Sequence, residues 1–284
     1  PDQGAVANVY HQPEDEELSY QLASESVVLL KNEGYILPLK ESCGTIAVIG
    51  PNADNLRNIF GSYSYAAFTE MCLEVAKNQA ASTAMEGVET GTMDEAVQAI
   101  AAIPSFEDLR PMMYPESRTI RQALEERMSA EKVIYARGCD IMGADCSGFE
   151  EAVSAARNSD VVVMVMGGKN GSGCNCSIGE NIDSSNINLP GVQEELVKAV
   201  YETGKPIVLL HMDARPVCSE WIAEHIPAIL EVWYPGQCGA KAVTDILFGE
   251  KTPGGKLPFT SIRNSGHVPV FAEHRNGNGY NDRR

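Results

Sequence analysis

Asp160-Val-Val-Val-Met-Val-Met166 is the stretch that decides the fold. Its apolar residues run without alternation. The run suits a strand and falls far short of the roughly 20 residues of a bilayer span. A strand with no polar face is buried on both sides, as in a parallel sheet covered by helices front and back. Outward from it, helices and strands alternate. Upstream, 148–158 reads as a helix. Downstream, Pro190 is placed to open a helix that Gly204 closes, with Val192, Leu196, Ala199 and Val200 as its inner stripe. A strand over 206–210, a helix over 219–225, a strand over 228–232 and a helix over 237–248 follow. Toward the N-terminus, 45–50 and 132–136 read as strands. Residues 14–33 read as one helix, with Leu18, Leu22 and Leu29 on one face and Gly34 as its stop.

This alternation predicts an α/β fold: a doubly wound sandwich of a mostly parallel sheet, roughly five or six strands, with helices on both faces. One such domain is expected over 1–284. A helical excursion is expected over 61–130, including Met93–Ile103 and Ile120–Met128, and an irregular docked tail over 251–284. Ligands of such sheets sit past the carboxyl ends of the strands. That directs attention to the loops after Gly50, Ala136, Met166, Leu210 and Val232.

Composition narrows the partners. Lys and Arg number 22 against 39 Asp and Glu, a formal net charge of −17. Such a surface repels phosphate backbones and anionic lipid, so neither nucleic acid nor membrane is an expected partner. The opening Pro1-Asp-Gln-Gly-Ala5 has no basic start, no apolar middle and no Met, and reads as a piece of a longer chain. The compartment stays open. Eight cysteines are irregularly spaced, with Cys174-Asn-Cys176 as the one close pair. No metal site is expected from them, only reduced thiols, several of them buried.

The most informative loop spans 167–188, from Gly167 to Asn188, about twenty residues directly after the most apolar strand. Glu180 and Asp183 are its only carboxylates. A carboxyl there serves as general acid or base once a site desolvates it; on composition alone it reads as a solvated loop Glu. Gly168, Gly171 and Gly173 have the wrong spacing for a dinucleotide fingerprint. Gly254-Gly255-Lys256 is no phosphate loop, because Glu250 and Leu257 stand at its obligatory Gly and Ser/Thr positions. There is no GxSxG elbow. His211 reads as a structural hydrogen-bonder, and Arg215 as a structural cation able to pair with a carboxylate.

Several phrases, in order, resemble the second domain of glycoside hydrolase family 3. They are Glu25-Ser-Val-Val-Leu-Leu-Lys-Asn-Glu33, Leu37-Pro-Leu39 and Ile46-Ala-Val-Ile-Gly-Pro-Asn-Ala-Asp54. Leu189-Pro-Gly-Val-Gln-Glu-Glu-Leu196, Gly204-Lys-Pro206 and Arg215-Pro216 follow. Then come Trp233-Tyr-Pro-Gly236, Leu247-Phe-Gly249 and Pro253-Gly-Gly-Lys-Leu-Pro258. The resemblance runs from about residue 15 to 272 and implies an (α/β)6 sandwich. It also implies a retaining exo-β-glycosidase of β-glucosidase or β-xylosidase type, needing no cofactor, whose Asp nucleophile lies on a preceding (β/α)8 barrel. By the same resemblance, Gly179-Glu180-Asn-Ile-Asp183-Ser184 ahead of Leu189-Pro-Gly191 maps the acid/base onto Glu180 and makes Asp183 a candidate substrate-binding residue. Expected partners are a β-linked oligosaccharide or aryl glycoside and the barrel itself. Ser184 stands where the family usually has Arg, and Gln237 where it often has Glu. Members acting on N-acetylglucosaminides carry the acid/base on the barrel, which keeps that location open. So do the other two readings of the chain: a non-catalytic carbohydrate-subsite or interaction module, and a nucleotide-binding domain, for which no phosphate loop exists.

Overall fold

The computed structural model describes residues 12–71, 105–171, 176–179 and 182–267. The helix expected over 93–103 lies outside them, as does the tail beyond 267. Among the described residues, the helices that frame the sheet include α1 (Pro13–Ser26), α2 (Phe106–Met113), α3 (Ile120–Met128), α4 (Phe149–Arg157), α5 (Gln193–Tyr201), α6 (Glu220–His225) and α7 (Gly239–Leu247). The strands are β1 (Val28–Asn32), β2 (Ile46–Ile49), β3 (Val133–Ala136), β4 (Val161–Gly167), β5 (Ile207–Met212) and β6 (Ala228–Glu231). They form one sheet in the order β1-β6-β5-β4-β2-β3. All neighbours are parallel except β1, which runs antiparallel to β6 at the edge.

The central strand explains the unbroken apolar run. Val161, Val163 and Val165 of β4 enter one core with Ile120 and Leu124 of α3 and Val243 and Leu247 of α7. Val162, Met164 and Met166 enter the other, with Ala152 and Ala156 of α4, Leu196 and Val200 of α5 and Ile222 of α6. Alternate side chains thus face opposite helical layers, and neither face has room for a polar residue.

Two expectations fail. The helix read over 14–33 stops at Ser26, and its second half is β1, paired in register Val28↔Glu231 with a bulge between Leu29 and Lys31. Leu18 and Leu22 are 54% and 61% exposed. The reason is tertiary. β-Branched Val27 and Val28 favour extended backbone, and the free edge of β6 offers ladder hydrogen bonds that local leucine spacing cannot match. Secondly, α5 begins at Gln193 rather than Pro190, and its buried residues are Gln193, Leu196, Val197 and Val200. Val192 and Ala199 are only partly covered.

Candidate functional site

The carboxyl ends of β2, β4, β5 and β6 converge through a set of buried polar side chains. Gly167 ends β4 with φ +135°, and a Cβ there would meet Met212 O at 2.1 Å, so the neighbouring strand's backbone touches it directly. Gln193, fully buried at the start of α5, accepts from Gly167 N at 2.8 Å. It donates to Gly167 O at 2.8 Å and Ile141 O at 3.0 Å. The loop after β2 supplies Asn52, whose Nδ2 donates to Gly168 O at 3.2 Å and whose Oδ1 accepts from Asn58 at 2.8 Å.

Beside them lies an ionic bridge. Arg57 is 7% exposed. Its Nη2 pairs with Glu70 Oε2 at 2.7 Å and donates to Asn170 O at 2.9 Å, while its Nη1 donates to Phe60 O at 3.2 Å. The other Glu70 oxygen takes Lys169 Nζ, just past the end of β4. One carboxylate therefore joins two cations carried by two different loops.

Behind Gly168, Asp213 is buried and its Oδ1 accepts from Ala214 N at 2.8 Å and Arg215 N at 3.0 Å. Burial raises the Asp213 carboxyl above its ordinary value, although those two N–H groups oppose the shift. A Cβ on Gly168 would meet Ser177 Oγ, Asp213 Oδ2 and the Tyr234 hydroxyl within 3.1 Å, so only glycine leaves these groups together. Burial, with the nearby Asp213 and Glu231 charges, keeps the Tyr234 phenol protonated.

The loop 167–188 is pinned at its root. Gly171 N donates to Ile178 O at 3.0 Å, Ser177 N to Lys169 O at 3.0 Å, and Ile182 N to Gly179 O at 3.1 Å. Arg215 Nη2 donates to Ile182 O at 2.7 Å, so this cation ties down the loop through a backbone carbonyl. Ser184 closes a local turn, its Oγ donating to Asn186 O at 2.5 Å. Asp183 is exposed, while Glu180 lies outside the described residues; Gly179 and Ile182, which flank it, are bonded to each other. His211 is buried against Glu231, as its reading as a structural residue anticipated.

Among the described residues, no group of three or more His, Cys, Asp or Glu is placed to hold a metal ion. No helix among them is long and apolar enough to cross a membrane. Cys139, Cys176 and Cys218 are buried, and burial pushes the Cys139 thiol up to about 12.

Arg57, Glu70, Lys169, Asp213, Tyr234 and Gln193 were not singled out from the sequence. Lys169 and Asp213 stand immediately after apolar strands, a signal that would have marked them. Glu70 sits in a stretch with no such pattern.

The model of the glycosyl hydrolase family 3 C-terminal domain matches residues 27–283. The chain belongs to glycosyl hydrolase family 3. This family 3 domain is 34% identical over 258 residues to a β-xylosidase of Formosa agariphila, covering 90% of this chain and 30% of that protein. It is also 34% identical over 267 residues to a periplasmic β-glucosidase of Salmonella typhimurium, covering 92% and 30%. Among solved structures it resembles the exo-β-xylosidase XlnD, caught with a xylobiose aziridine probe. There the TM-score is 0.61 with 27% identity, over 86% of this chain and 25% of that one. A Listeria innocua β-glucosidase bound to gluconolactone gives a TM-score of 0.68 with 25% identity, over 93% and 29%. The chain thus spans about a third or less of the length of these relatives. It is a domain of a family of glycoside hydrolases, built as an α/β sandwich.

Proposed function

We propose that residues 1–284 form a single sandwich unit that supplies half of the catalytic site of a retaining exo-β-glycosidase. Glu180 is the general acid/base, and the Asp nucleophile is on an N-terminal (β/α)8 barrel of the parent protein. A retaining site needs two carboxyls about 5–5.5 Å apart. In the first step protonated Glu180 gives its proton to the leaving glycosidic oxygen as the nucleophile attacks. In the second, its carboxylate takes a proton from water, which then attacks the glycosyl-enzyme. Exposed Asp183, three residues on, hydrogen-bonds a sugar hydroxyl. The substrate is a β-linked oligosaccharide or aryl glycoside, and the isolated chain is inactive. The observation that carries this reading is the anchored loop. Its two described ends at Gly179 and Ile182 are bonded to each other, and Arg215 holds the second.

The test uses the complete parent protein, wild type and Glu180→Gln, on an aryl β-glycoside with a good leaving group, with and without azide. The mutant is expected to form the glycosyl-enzyme and hydrolyse it slowly, and azide to restore turnover as a glycosyl azide of retained configuration. Wild-type behaviour of the mutant overturns the assignment and leaves the domain as a non-catalytic subsite wall.

A further inference from the structure

We infer that Glu70 is a positioning residue for this reaction, fixing through Arg57 and Lys169 the Asn170–Gly171 backbone against which Gly179, the residue before Glu180, is seated. The inference rests on the reading of Glu180 as acid/base. The contacts form a continuous chain. Glu70, 30% exposed, holds Arg57, whose side chain is 9% exposed, through Oε2 at 2.7 Å. Arg57 Nη2 also donates to Asn170 O at 2.9 Å, and a Cβ on Gly171 would come within 3.1 Å of it. The guanidinium therefore lies directly under the Asn170–Gly171 backbone. Gly179 is seated against that same backbone, since a Cβ on it would come 1.7 Å from Gly171 O. Glu180 is the next residue.

The second arm makes the bridge more than an isolated ion pair. Lys169, 15% exposed, takes the other Glu70 oxygen and belongs to the loop's own root, where its backbone N donates to Ser177 Oγ at 2.9 Å. Glu70 thus ties the loop after β2 to the loop after β4. Without its charge, two poorly solvated cations face each other across the seam, and their repulsion drives the loops apart. A displacement of about 1 Å at a proton-transfer group is enough to slow the step that needs it.

The experiment uses the full-length parent, with Glu70→Gln, Glu180→Gln and the double variant, on two aryl β-glycosides: 2,4-dinitrophenyl, which departs without protonation, and phenyl, which needs it. The ratio of kcat/KM for phenyl to that for dinitrophenyl is expected to fall by about tenfold or more in Glu70→Gln, a fraction of what general acid catalysis supplies. Adding Glu70→Gln to Glu180→Gln should lower the phenyl rate no further. An equal loss on both substrates, or additive losses in the double variant, overturns the positioning role. If Glu180→Gln itself leaves the ratio unchanged, the acid/base assignment fails and this inference goes with it. If Glu180→Gln lowers the ratio and Glu70→Gln does not, the positioning role alone fails. Should Glu70→Gln not fold, Lys169→Gln removes one arm only and is read by the same ratio.

Discussion

His211 Nδ1 lies 3.3 Å from Glu231 Oε2 across neighbouring strands β5 and β6, with side chains only 8% and 6% exposed. The other Glu231 oxygen accepts from Trp233 N at 3.2 Å, holding that residue at φ +57°. Burial pulls the His211 value down, but the hydrogen bond and charge of Glu231, with the charge of Asp213, outweigh it and the net shift is upward. Burial raises Glu231, which His211 only partly offsets. Both shifts describe one pair that keeps a proton to higher pH than the separated groups would. The folded state therefore binds more protons than the unfolded chain, from the ordinary carboxylate value of 4.5 up past the ordinary histidine value of 6.5. Stability contributed by raised groups is present at the acid end and lost as pH rises. Urea unfolding midpoints should be higher near about pH 5.5 than near about pH 8. A net charge of −17 pushes the same way, so the pair's share is the part of that slope that His211→Gln with Glu231→Gln removes. An unchanged slope in the double variant would show that the pair carries none of it.

Gln193 makes three hydrogen bonds from a fully buried position. Gln193→Leu strands the Gly167 N–H and carbonyl at the end of β4 and the Ile141 carbonyl in the loop after β3. Buried groups left unpaired cost about 1–3 kcal/mol each, so a total loss on the order of 3 kcal/mol is expected. Thermal unfolding of the isolated chain should drop by several degrees; a shift within error would mean that water replaces the amide.

Gly179→Ala tests the seat of the loop separately from its ionic support. With φ +155° and Gly171 O at 1.7 Å from any Cβ, alanine must displace one strand of the loop root. The strained φ and the backbone contact together should lower the unfolding free energy by about 1–3 kcal/mol. The parent's kcat/KM on a phenyl glycoside should fall far more than that stability loss explains. Equal activity in Gly179→Ala and wild type would show that the loop tolerates the shift.

Leu18 and Leu22 line an open cleft of about 600 Å³ with Trp233, Tyr234 and Pro235, on the face where α1 meets the turn after β6. An apolar patch of this kind promotes association when the rest of a longer protein is missing. The isolated chain should sediment as a mixture of monomer and larger species, shifting to monomer in Leu18→Glu with Leu22→Lys. A wild-type chain that stays monomeric at high concentration would rule this out.

The loop after β4 was marked by its length, by its glycines and by the strand before it, and the structure places its root among buried polar groups. Its supports were not legible. Arg57 and Glu70 lie more than 90 residues before Lys169, and nothing in their local spacing announces a partner in another loop. Arg215 reads from the sequence as a structural cation, and its guanidinium donates to the Ile182 carbonyl. Side-chain type suggested the charge, and packing supplied the backbone oxygen it meets.

Hydrophobic patterning by itself determined the sandwich. A run such as 161–166 that is apolar at every position has one stable solution, burial on both faces, and alternation with helical segments then requires parallel strands. Tertiary structure alone decided the fate of 27–33 and the contacts at the sheet's edge. Val28 to Asn32 became a strand because β6 had a free edge beside it, and Glu70 became a bridge because two loops brought cations to it from opposite directions. Burial patterns are local and written in spacing, whereas pairing across the fold depends on which surfaces meet, and that is settled only when the layers pack.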